Sequence, residues 1–202
     1  MKDVALAILK ILGFLLGLPL IAAFFFAFQK QVLSLPAPKE IWLLWGTGIY
    51  VALNLFVYDF KDVYAFGNLC VSKIFTFFKP AGYCFPIYSV FLILVYVILL
   101  ILGRGAAMQT YFLFAIAFTL SMHLVQTAHE IYEADSSVLK AHYLCTFGAI
   151  LIVNLFFISL LFAWVIPEYS FVGFIKSLSS QTCHFYKSVY KIFFVDSVVS
   201  GK

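Results

Sequence analysis

The residues with the most chemistry to offer stand together between Ser121 and Asp135: His123, Gln126, His129, Glu130, Glu133 and Asp135. On a helix His129 and Glu133 share a face, and Glu130 beside them could serve as base to a metal-bound water. That would be a His-Glu-x-x-Glu variant of a zinc site, with His123 deeper in the same segment as a further polar candidate. The same residues equally describe a solvated helix end of mixed charge that needs no metal, with His123 a hydrogen-bonded packing histidine. Elsewhere such side chains are sparse: Asn54, Asn68, Lys73, His142 and Asn154. Asn154 is most simply an interhelical hydrogen-bond donor. An ion path along Lys73, His123 and Gln126 is a third option, disfavoured because such paths need several paired ionisable groups at membrane depth.

The elements that must position these residues are set by composition. The 202 residues are 64% hydrophobic and 11% charged, and the mean hydropathy is +1.05. An ordinary soluble domain carries more than twice that share of charge. The chain therefore reads as all-α, a polytopic helical membrane protein whose main partner is the lipid bilayer. Crossings need about 20 largely apolar residues each. They are expected at Val4–Phe28, Ile41–Tyr58, Ile87–Leu102, Ala107–Ala128 and Tyr143–Ile166, with Val63–Phe78 as a sixth or as an interfacial helix. Gly13 and Gly17 in the first span suggest close approach of a neighbouring helix, and Pro19 a kink.

Six crossings put Lys2, Lys10, Lys61, Arg104 and the C-terminal lysines on one side, and Lys30, Lys39, Lys79 and Lys140 on the other. By the positive-inside rule that count is preferred, with both termini cytoplasmic. Residues 1–168 form the transmembrane domain. In 169–202, Phe171, Phe174, Ile175, Leu178, Phe185, Val189 and Ile192 recur at helical spacing with lysines off the stripe, so an amphipathic helix on the membrane surface is expected. The net charge of +4 is scattered, which argues against a nucleic-acid partner. The cysteines at 70, 84, 145 and 183 have no metal or redox spacing, and no CxxCH, phosphate loop or GxSxG elbow occurs. Soluble-enzyme chemistry finds no footing, and no cofactor is called for except zinc under the first reading above.

The words Tyr64-Ala65-Phe66-Gly67-Asn68-Leu69-Cys70-Val71-Ser72 and Pro80-Ala81-Gly82-Tyr83-Cys84-Phe85-Pro86-Ile87-Tyr88, continued in Phe118–His123 and Asn154-Leu155, carry a likeness. The segment from Asn54 to Val165 resembles bacterial membrane-embedded zinc metallopeptidases of the site-two protease class. In one branch of these a Phe-Gly pair precedes the HExxH helix, and a Pro-Tyr-x-x-Pro-x-Tyr turn follows. The resemblance places the first ligand histidine on Asn68, the general base on Leu69 and the second ligand on Ser72; no Asp-Gly pair supplies the later aspartate. It thus implies a pseudoprotease in the bacterial inner membrane with no catalytic residues, able to bind a transmembrane helix of another protein.

Overall fold

The computed structural model describes residues 2–75, 81–135 and 141–191. Phe78, Lys79, Pro80, Lys140 and Ile192, on which some of the expectations above rest, lie outside them. The described residues form helices only: α1 (Lys2–Leu33), α2 (Ala37–Phe56), α3 (Lys61–Ile74), α4 (Ala81–Cys84), α5 (Ile87–Ile101), α6 (Gly105–Ala134), α7 (Ala141–Val165) and α8 (Phe171–Tyr190). Among them α1, α6 and α7 are long and apolar enough to cross a bilayer, and the bent pair α2–α3 qualifies as a fourth span if taken together. The chain is an all-helical protein suited to membrane insertion.

Helix boundaries follow local chemistry. Pro36 precedes α2 and Pro38 sits in its first turn, where a missing N–H costs nothing. Pro86 likewise precedes α5. Gly103, at φ +74°, makes the turn between α5 and α6, a conformation a side chain would strain. The Ser170 hydroxyl accepts from the Gly173 amide at 3.0 Å and caps α8. Pro19 lies inside α1 without ending it.

Side-chain contacts fix the directions of the rods. Trp42 packs on Tyr111, Tyr50 on Phe118, and Gln126 reaches Asn54, so α2 runs parallel to α6. Ser89 meets Thr119 and Tyr96 meets Phe112, so α5 runs against α6. The core lies between these helices and α7, around Tyr96, Leu113, Ile116, Ile158, Phe162 and Ile166. Phe24, Ala27, Leu155 and Phe174 join α1, α7 and α8 in a second cluster.

Two expectations change and one is refined. First, α3 is 14 residues long and bends 118° from α2, so it lies across the end of the bundle. Lys61 at its start pairs with Glu133 at 3.3 Å, near the end of α6, while Arg104 precedes the first residue of that helix. Thirty residues of α6 span about 45 Å, so if α6 crosses the membrane Lys61 and Arg104 lie on opposite sides. The six-crossing count with Val63–Phe78 as a span required them on one side. Single cysteines at Lys61 and Arg104 are accordingly expected to be labelled from opposite faces of sealed vesicles. Labelling of both from one face would restore a crossing by α3.

Second, α8 is amphipathic, as expected, and it packs along α1 rather than standing apart from the bundle. Gly173 approaches Gln31, and the Tyr186 hydroxyl donates to the Leu16 carbonyl at 3.0 Å, so α8 runs antiparallel down α1. The ring pairs Phe24–Phe174 and Phe26–Phe185 line that contact. Third, a Cβ on Gly13 or Gly17 would meet nothing within 4 Å. Close approach occurs instead at Gly46, where α2 touches α6, and at Gly148, where α7 meets Phe14 and Ile21 of α1.

At the end of the bundle away from Lys61, the Lys39 ammonium donates to both Glu168 oxygens, at 2.8 and 2.7 Å. This holds the Glu168 carboxyl below its ordinary range. A carboxyl depressed in the folded state contributes stability above its unfolded value and loses it as pH falls through the folded one. Glu168 is 42% exposed, so the contribution is that of a surface pair, about 0.5 kcal/mol. Lys39→Gln is expected to remove this part of the acid-side slope of thermal stability below pH 5, and to leave the slope above pH 6 unchanged.

Candidate functional site

The polar residues of α6 fall at i, i+3, i+4 and i+7: His123, Gln126, Thr127 and Glu130. That spacing makes one face, and it points inward. His123 is 5% exposed, Gln126 4% and Thr127 0%. Burial on this scale requires partners, and each neighbouring helix supplies one. From α2, Asn54 Oδ1 accepts from Gln126 Nε2 at 3.1 Å and from the Tyr50 hydroxyl at 3.2 Å. The Tyr64 hydroxyl of α3 meets Thr127 Oγ1 at 2.8 Å, fully buried. The Tyr83 carbonyl of α4 accepts from His123 Nε2 at 3.0 Å and from Asn154 Nδ2 of α7 at 3.3 Å. Because a carbonyl only accepts, the bond fixes the His123 tautomer with hydrogen on Nε2.

Two glycines bring the crosswise helix close enough. A Cβ on Gly67 would fall 2.6 Å from the Tyr88 ring, and the Tyr88 hydroxyl donates to the Val63 carbonyl. A Cβ on Gly82 would strike the Asn68 amide oxygen. Asn68, seated on Gly82, donates to Glu130 Oε2 at 3.4 Å. The bundle end is thus closed by a polar seam linking α2, α3, α4, α6 and α7. One atom is left over: Asn154 Oδ1 is buried without a partner among the described residues.

The three positions matched to the metallopeptidase motif have separate fates. Asn68 turns inward to Glu130, Leu69 is 52% exposed, and the Ser72 hydroxyl donates to the Leu69 carbonyl of its own helix at 2.9 Å. An amide, a leucine and a back-bonded hydroxyl do not fit the donor set of a zinc centre, which takes imidazole, thiolate or carboxylate. The alternative set around His129 is divided as well. His129 Nε2 pairs with Glu133 Oε1 at 3.2 Å on the exposed side, where Glu133 also takes Lys61. Glu130 faces Asn68, and His123 is held by Tyr83. Among the described residues no three His, Cys, Asp or Glu side chains are grouped as a metal ion requires. Lys73 is exposed, whereas His123 and Gln126 are buried.

Sequence reasoning singled out His123, Gln126, Asn54, Asn68 and Asn154 one by one, and the structure gathers them at one end of the bundle in separate hydrogen-bonded groups: Gln126 with Asn54 and Tyr50, Asn68 with Glu130, and His123 with Asn154 on the Tyr83 carbonyl, with the Tyr64–Thr127 pair between. The phase of Thr127 with His123 and Gln126 was available as a signal; a backbone carbonyl carries none. Neither a protein-family model, nor a curated protein, nor a solved structure matches the chain.

Proposed function

We propose that the chain is a non-enzymatic scaffold of the bacterial inner membrane that receives a transmembrane helix of another protein against the outer face of α3. The observation that carries this reading is the disposition of α3. Its inner side is tied into the polar seam by Tyr64 and Asn68. Its outer side presents Phe66 at 64% and Leu69 at 52% exposure, flanked along the same side by the exposed Asp62 and Lys73. A helix side held at an angle to the bundle by hydrogen bonds, with two large apolar residues between an acid and a base, is a platform for van der Waals packing and charge pairing with a partner helix. The resemblance to site-two proteases points the same way, since Leu69 stands where an active relative keeps its general base. Substrate access there would become partner docking.

A photoreactive residue at Phe66 or Leu69 is expected to crosslink one membrane protein reproducibly in native membranes, while the same residue at Leu16 on α1 gives none. Identical adduct patterns at all three sites would mean lipid contact alone and sink the proposal. A zinc peptidase with relocated ligands makes a different forecast. Metal content of purified protein is expected to be sub-stoichiometric and unchanged by His129→Ala. One zinc per chain, lost in that variant, would replace the scaffold by an enzyme.

A further inference from the structure

The helices α1 and α2 follow one another in sequence yet scarcely touch among the described residues, for each packs on a different neighbour, α1 on α7 and α8, α2 on α6. Between them opens a cleft of about 320 Å³, floored by Ala117, Leu120 and Phe162 and walled by Phe28, Val32 and Leu43. Its lining is apolar apart from Gln29 and Thr47. A helix with its side chains is about 10–12 Å across and is too thick for this space. A flexible hydrocarbon chain is not, and an unfilled cleft would forfeit the dispersion contacts of its walls.

Round the last turn of α1 lies a second, more polar cavity of about 370 Å³, bounded by Lys30, Ser34 and Gln181. Gln29 and Leu33 line both cavities, so the two are neighbours across that turn. Among the described residues the ion pairs take Lys39 and Lys61, and no carboxylate pairs with Lys30. Trp42 and Trp45, at the start of α2, mark this end as the level of the lipid headgroups. An unpaired cation at headgroup level, beside an apolar slot reaching toward the bilayer interior, has the charge and shape complement of one molecule.

We infer that this chain binds an anionic glycerophospholipid, one acyl chain in the α1–α2 cleft and the phosphate-bearing headgroup against Lys30, Ser34 and Gln181. The site is independent of whatever α3 receives. A basic side chain near the surface favours an anionic headgroup by about fivefold.

The test uses the full chain in mild detergent, mixed with equal amounts of phosphatidylglycerol and phosphatidylcholine of the same acyl chains. Lipid retained through size-exclusion chromatography is then counted by mass spectrometry. Expected is one retained phospholipid per chain, with phosphatidylglycerol about fivefold over phosphatidylcholine. Lys30→Gln should bring the two to equality while lipid is still retained. Thr47→Trp, which fills the cleft from an exposed position, should release both; Leu44→Trp serves if that variant elutes as aggregate. Ile98→Trp on the far face should change nothing. Equal retention of the two lipids by the wild type, a preference that survives Lys30→Gln, or retention that survives both cleft-filling variants would each overturn the inference.

Discussion

Gly46→Val is expected to lose about 3 kcal/mol of stability in reversible SDS unfolding, among the largest effects of any single change in this chain. A Cβ at this position would strike the Phe114 carbonyl oxygen and come within 2.9 Å of the Ala117 Cβ. Both are fixed atoms: one is backbone in mid-helix, and the other is a side chain with no torsion to turn. The overlap can be relieved only by moving α2 off α6, and that movement would pull at the Trp42–Phe114 and Tyr50–Phe118 contacts on either side of it. Gly48, two residues on, has nothing within 4 Å of its built Cβ, so Gly48→Val should cost nothing and gain a few tenths of a kcal/mol in helix propensity. Similar losses at 46 and 48 would show that α2 does not pack on α6 through this face.

The contrast between these glycines marks what the sequence could reveal. Apolar length alone announces the long helices, and Trp42, Trp45 and the prolines bracket their ends, because lipid solvation leaves few ways to arrange such a chain. Which small residues face a neighbour is another matter. Gly13 and Gly17 have the four-residue interval associated with close packing, yet they face open space, while Gly46 stands without such a pattern and is wedged on a carbonyl. Spacing reports which residues share a face, not what that face meets. The same gap explains α3. Its composition allowed a crossing, and only the pairing of Lys61 with Glu133 and of Tyr64 with Thr127 lays it crosswise. The candidate site was half visible for a related reason. The polar stripe of α6 obeys helical periodicity, whereas its complement comes from three other helices, including one backbone carbonyl.

That crosswise placement depends on a corner, and the corner on Tyr50. Its side chain is fully buried, its ring lies 5.4 Å from Phe60 and 5.4 Å from Phe118, and Phe60 itself packs on Phe118 at 5.6 Å. Phe60 immediately precedes α3, so this triangle of rings holds the bend between α2 and α3 onto α6. Tyr50→Ala would empty the centre of the triangle. Deletion of a buried aromatic ring costs about 3–5 kcal/mol. Tyr50→Phe keeps the rings and loses only the bond to Asn54 Oδ1, which still accepts from Gln126, so its cost should be about 0.6 kcal/mol. Cys70, half-buried on α3, provides a local reporter in a chain whose other three cysteines are serine. If the rings set the angle of α3, labelling of Cys70 by a small maleimide accelerates in Tyr50→Ala and stays at the wild-type rate in Tyr50→Phe. Unchanged labelling in Tyr50→Ala, with the protein still folded, would mean that the hydrogen bonds of Tyr64 and Asn68 hold α3 without the corner. The polar seam, and not the aromatic triangle, would then be what orients the proposed docking face.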